Sequence, residues 1–251
     1  MAKVFYNFNG AAFVLAAAWL MPAADVSAQS STSSPSVVEL FTSQGCSSCP
    51  PADKLLGELA TKPGIIAMSF PVTYWDYLGW KDTLARPENT ARQRGYAAKA
   101  AEGEVYTPQV FVNGLKGCVG SNRSDIEAAV HSTGSALQKS IVAVAVRRDG
   151  KKLLIEAGAA PEGSKLRNAK VWVASVLRNA DVPIGGGENA GRKVTYTNVV
   201  HSLIEAGDWE GAAASYSVQV DGSKLQDGDM FVVFLQAEHL GAIVGAARIS
   251  G

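Results

Sequence analysis

Cys46-Ser47-Ser48-Cys49 holds the residues of this chain best placed, by type and spacing, to do chemistry. Two thiols separated by two residues sit about one helical turn apart, close enough to close a small disulfide ring. The reactive species of such a pair is the thiolate, which cuts and re-forms disulfides through a mixed-disulfide intermediate. Three readings of the pair stand: a redox couple, a structural bridge, and half of a metal site. A zinc or copper site would need further donors from His131, His201, His239, Cys118 or methionine, and none of these histidines lies near another histidine or a cysteine in sequence. The third cysteine, Cys118, reads as a buried thiol packing as a small hydrophobe.

The elements that must position the pair are legible on both sides of it. Val37-Val38-Glu39-Leu40-Phe41 is a short run of strand type, followed by the polar turn Thr42-Ser43-Gln44-Gly45. After the cysteines, Leu55, Leu56 and Leu59 fall on one helical face, Pro51 suits the first helical position, and Asp53 lies in the first turn. Cys46 then belongs to the loop before the helix, and Ser47-Ser48 brings no positive charge to depress a thiol pKa. Ile65 to Phe70 is a buried strand, which makes the opening strand, helix, strand. Tyr74, Trp75, Tyr77 and Trp80 follow; they read as core cover for the sheet or, at Trp75, as a wall beside the sulfurs. A helix-favouring segment spans Asn89 to Ala101. Thr107-Pro108 then stands directly before a strand ending in Asn113-Gly114, a hairpin signal, and Leu115 to Val119 runs back. Ser124-Asp125-Ile126-Glu127 is a capping box opening a helix.

Composition bounds the partners and the compartment. The 251 residues carry 23 basic and 23 acidic side chains, so no basic footprint for nucleic acid exists. Lys3 precedes an apolar run, Ala11 to Met21, too short to span a bilayer but suited to a secretory signal ending near Val26-Ser27-Ala28. Residues 1–28 read as that signal and 29–35 as a disordered lead-in, so the mature chain is expected to be periplasmic or secreted, without stable membrane insertion. From 132 to 140 the chain reads as a linker. Beyond it, about seven strands at short spacing predict an antiparallel sandwich or partly open barrel over 140–251. Gly185-Gly186-Gly187 lacks the strand-to-helix context of a phosphate cradle and reads as a long hairpin loop.

Residues 36–135 resemble the thioredoxin-like superfamily, and the chain from Ser36 onward resembles the secreted bacterial family of unknown function DUF1223. The closer likeness rests on Glu39 to Asp53, Tyr74 to Asp82, Arg92-Gln93-Arg94, Tyr106-Thr107-Pro108-Gln109, Val119-Gly120, Gly187-Glu188-Asn189, Gly191-Arg192 and Tyr196 to Val200. The superfamily likeness implies an α/β thioredoxin-like domain with a helical insert, followed here by the mainly antiparallel β domain. It implies Cys46 as exposed nucleophile, Cys49 as resolving thiol, and Thr107-Pro108 as a cis dipeptide facing the sulfurs. It also offers Glu39 as a proton relay, or else as a residue pointing outward; the closer family likeness implies that Arg192 and the loop around it reach the cleft at Cys46. The expected activity is extracytoplasmic thiol–disulfide exchange on protein or small-molecule thiols, with a membrane redox partner as a candidate for recharging. No cofactor beyond the disulfide is expected. The alternatives are a secreted binding module with a structural disulfide, and a copper-handling protein.

Overall fold

A computed structural model describes residues 34–99, 103–220 and 229–250. The apolar run, the cleavage point after Ala28 and residues 29–33 of the lead-in lie outside the described residues. The chain is a mixed α/β protein built on a large, mostly antiparallel sheet. Its elements are β1 (Ser36–Thr42), α1 (Pro50–Ala60), β2 (Ile65–Pro71), α2 (Pro87–Lys99), β3 (Gln109–Val112), β4 (Lys116–Val119) and α3 (Arg123–Leu137), followed by β5 (Val144–Asp149), β6 (Lys152–Ala157), β7 (Ala169–Pro183), β8 (Lys193–Trp209), β9 (Ala214–Gln219), β10 (Met230–Ala237) and β11 (Ile243–Ser250). A short 3₁₀ turn, Asp76–Leu78, lies between β2 and α2.

Eight strands form one sheet in the order β11-β10-β7-β8-β2-β1-β3-β4, so strands from both halves of the chain share it. β1 and β2 are parallel, as a strand–helix–strand unit requires, and β1 pairs β3 antiparallel. The halves meet where β2 and β8 run parallel at Ser69 and Val199, beside Asn198, whose side chain donates to the Ala67 carbonyl over 2.8 Å. The β11 end of the sheet also comes back onto β3: the Ile243 N–H donates to the Asn113 carbonyl over 2.9 Å.

Alternation sorts the strand residues between faces. Val37 and Phe41 of β1 join Val176, Val232 and Phe234 in one core. Val38 and Leu40 point the other way, against Leu56 and Leu59 of α1 and Ile126 of α3. In the second half, Val171, Val173, Phe231 and Val233, with Trp209 at the end of β8, face a separate sheet of order β5-β6-β9 through Leu153 and Ile155 of β6.

Two local expectations are corrected. Residues 132–137 of the expected linker are the last turns of α3, which runs to Leu137, because Thr133 and Leu137 continue its apolar face; only 138–140 are turn. That helix opens at Arg123: Asn122 rather than Ser124 is its cap, its Oδ1 accepting the Asp125 N–H over 3.3 Å. Among the described residues no helix is long and apolar enough to cross a membrane.

Candidate active site

Cys46 and Cys49 are joined in a disulfide with their Cα atoms 5.4 Å apart. Cys49 is the cap of α1 and already has helical dihedrals; Pro50 and Pro51 occupy the first two helical positions. Prolines are tolerated there because those amides have no intrahelical partner. The next two, Ala52 and Asp53, donate back to the Cys49 carbonyl over 2.8 and 3.1 Å. The helix start therefore turns no unused N–H of its first four residues toward the sulfurs. What does approach Cys46 Sγ is the Ser48 hydroxyl, at 3.4 Å, which also lies 3.5 Å from the Thr107 carbonyl.

The Thr107–Pro108 peptide is cis and sits beside the cysteine loop. Trp75 ties the two together. Its indole N–H donates to Thr107 Oγ1 over 2.7 Å, while a Cβ added at Gly45 would stand 3.0 Å from Trp75 Cβ. Tyr77, largely exposed, stacks on Trp75 with the rings 14° from parallel.

Gln44 holds the loop from below. Its N–H donates to Asp82 Oδ2 over 2.8 Å, and its side-chain oxygen accepts the Trp80 indole N–H over 2.7 Å. Asp82 also accepts the Leu84 and Ala85 amides, and burial still pushes its pKa up.

The sulfurs differ from expectation in one respect. Cys46, expected to be the exposed thiol, is 0% exposed, as is Cys49. The second half of the chain contributes to this packing. Beyond Leu177 and before Asn198, strands β7 and β8 pair only with each other, so this part of their ribbon leaves the sheet. Its tip, residues 184–192, lies on the cysteine loop. The buried Asn189 amide donates to the carbonyls of Gln44 and Cys46 over 3.0 and 2.8 Å, and Glu188 Oε2 accepts the Ser47 N–H over 3.0 Å. Arg192 reaches the site at one remove, donating to Asn189 Oδ1 over 3.0 Å. The three glycines are explained by this docking. A Cβ on Gly185 would meet the Trp80 ring at 2.8 Å, and one on Gly186 the Gly79 carbonyl at 2.9 Å. Gly187 sits at φ 70° with its Cβ position 3.9 Å from Gly45 Cα.

Glu39 is buried rather than outward-pointing. It lies on the face of β1 shared with Val37 and Phe41, away from α1. Arg92 Nε donates to one carboxylate oxygen over 2.7 Å and the Tyr96 hydroxyl to the other over 2.5 Å. Gln236 of β10 completes the network, accepting from Arg92 and donating to Tyr96, each over 2.9 Å.

The acid on the α1 side is Asp53, singled out in the sequence only for its place in the first helical turn. It is almost fully buried, and burial pushes its pKa to about 8. Its spacing of four from Cys49 was the available signal, since positions four apart share a helix face.

Cys118 packs in the α1–α3 core with its thiol 3.7 Å from the Asp125 carbonyl, and burial raises its pKa. Among the described residues no group of three or more His, Cys, Asp or Glu could hold a metal ion. His201 Nδ1 lies 2.9 Å from Arg86 Nη2.

Fold and site together define a mixed α/β protein with a Cys-x-x-Cys disulfide at a helix start, covered by a hairpin tip. The chain belongs to the family described as protein of unknown function (DUF1223), whose model matches residues 37–236. A crystal structure of a protein from Agrobacterium tumefaciens, solved by a structural genomics consortium, is 32% identical. The match covers 86% of this chain and 94% of that one, with a TM-score of 0.73. HBP35 of Porphyromonas gingivalis is similar in fold at 11% identity, with a TM-score of 0.60 over 87% of this chain and 75% of that one. No curated protein matches the sequence.

Proposed function

We propose that this protein is an extracytoplasmic thiol–disulfide exchange protein that uses the Cys46–Cys49 pair. The observation that carries the reading is the disulfide at the start of α1 with the Thr107–Pro108 loop beside it, bridged by Ser48. A substrate thiolate would attack Cys46, forming a mixed disulfide and releasing Cys49 as the leaving sulfur; the reverse sequence re-forms the bond. The thioredoxin-like likeness of residues 36–135 and the leader-like N-terminus support the same assignment, and a disulfide of this kind persists in oxidising compartments. Exposed Tyr77 stacked on Trp75 gives a peptide substrate an aromatic shelf next to the sulfurs. With Cys46 buried, the packing over it, to which the tip at 184–192 contributes, must open for a substrate thiolate to reach the sulfur.

A second reading, a binding module whose disulfide is structural, is favoured by the complete burial of both sulfurs. Equilibration of the full chain against a glutathione series separates the two, with Cys46→Ser and Cys49→Ser as controls. Exchange predicts a potential between about −270 and −120 mV and rapid alkylation of Cys46 alone after reduction. A potential below about −300 mV, with resistance to millimolar glutathione, would sink it in favour of the structural bridge.

A further inference from the structure

Asp53 sits one helical turn after Cys49, and its own N–H donates to the Cys49 carbonyl over 3.1 Å. Side chains four apart stand on one face of a helix, and each Cα–Cβ bond leans toward the helix N-terminus. The carboxyl of Asp53 is thereby directed at the turn that carries Cys49. It is 2% exposed, and among the described residues neither of its oxygens has a hydrogen-bond partner. The buried hydroxyl of Thr42, the last residue of β1, lies near enough to the carboxyl to favour its ionised form without closing a hydrogen bond of ordinary geometry. Thr42 falls on the same side of β1 as Val38 and Leu40, the side that packs on α1.

An acid buried without partners is costly to keep unless it stays neutral or has a use. The titratable groups that bear on it are Asp82, from the segment after the aromatic run, and Tyr196 of β8. Neither is a cation. Desolvation, opposed by the Thr42 hydroxyl and reinforced by Asp82, holds the carboxyl protonated at neutral pH. Glu39 is the contrasting case: its oxygens are taken by Arg92 and Tyr96, and it faces away from α1.

We infer that Asp53 is the proton donor to Cys49 when the disulfide opens and the proton acceptor when it closes. This rests on the exchange reading above. On opening, a substrate thiolate forms a bond to Cys46 Sγ, the Cys46–Cys49 bond breaks, and its electron pair leaves on Cys49 Sγ. That sulfur takes the proton of the Asp53 carboxylic acid. On closing, the carboxylate removes the Cys49 proton, Cys49 attacks Cys46, and the substrate departs as the thiolate. At the mixed disulfide Cys49 has been reduced at the expense of the substrate sulfur while Cys46 is still disulfide-bonded. The full two-electron reduction of the pair is reached only when a second substrate thiolate attacks the substrate sulfur and frees Cys46, and the Cys49 proton stays inside throughout.

The test is a carbon NMR titration of the full chain with labelled aspartate and cysteine, oxidised and reduced, set beside the pH dependence of reduction by dithiothreitol. Oxidised protein should show Asp53 titrating near pH 8. Reduced protein should show Asp53 and Cys49 titrating as one coupled pair, each carbon reporting both steps. Asp53→Asn should slow reduction by about 100-fold and remove the inflection that Asp53 imposes on the wild-type profile. Titration of Asp53 in the ordinary carboxylate range, or Cys49 titrating with no step from Asp53, overturns the inference even if Asp53→Asn fails to fold. If the chain proves inert to thiols while the two groups remain coupled, the exchange reading falls and the proton link between them stands.

Discussion

Asp53 shows how much a single burial can decide. A carboxyl ionises near 3.8 in water but near 8 at this position, with desolvation the largest cause. Between those values the unfolded chain has lost a proton that the folded chain keeps, so stability falls as pH rises across the window, by up to about 1.4 kcal/mol per pH unit. The penalty is absent below the unfolded value and complete above the folded one. Urea unfolding of oxidised wild type and Asp53→Asn at about pH 5 and about pH 7 should therefore diverge, the variant gaining relative stability at the higher pH. Parallel behaviour of the two proteins would mean that Asp53 is not held neutral. Glu39, unlike Asp53, has a donor on each of its carboxylate oxygens.

At the scale of elements, the ribbon of β7 and β8 is the part that changes the character of the site. A Cys-x-x-Cys loop at the start of a helix would ordinarily leave the first sulfur open, and here the ribbon tip closes over it. The grip is local: the Asn189 amide on two carbonyls, Glu188 on the Ser47 N–H, and glycines that let the tip lie against Trp80 and Gly79. Losing a buried donor leaves two carbonyls unsatisfied, worth about 1–3 kcal/mol. Asn189→Ala should accordingly speed reduction of the disulfide by dithiothreitol about tenfold or more while the fold, by circular dichroism, is unchanged. An unchanged rate would show that the tip does not control access. The Ser47 contact holds the Glu188 carboxyl below its ordinary 4.5, so this part of the grip persists above that range and is lost as pH falls through the lowered value.

At the scale of the molecule, the two halves are tied together away from the cysteines. Arg92 of α2 stands between Glu39 of β1 and Gln236 of β10, with the Phe70, Tyr96 and Phe234 rings 5.1 to 5.7 Å from its guanidinium carbon. Removing one partner of a fully buried pair strands the other, at a cost of about 3–5 kcal/mol. Arg92→Leu should lower stability by that order, measured by chemical denaturation, and Glu39→Leu in the same chain should recover much of it. Because strands of both halves share one sheet, fluorescence and circular dichroism should report a single coincident unfolding transition. Two separated transitions would show that the halves fold independently.

Much of this was readable in order along the chain. The cysteine spacing, the strand before it, the apolar face of Leu55, Leu56 and Leu59, the Asn113-Gly114 turn and the strands of the second half are local patterns. Local patterns need only neighbours in sequence to be recognised. What tertiary structure alone decided is contact between distant residues. It buried Cys46 beneath Asn189, 143 positions away. It paired Glu39 with Arg92 across 53 residues and left Asp53 in the core without a partner. Hydrophobic periodicity says which face of an element is inside but not which polar group waits there. Solvation and pairing of a buried charge depend on every element packed around it, and the sequence alone determined the cysteine pair but not what surrounds it.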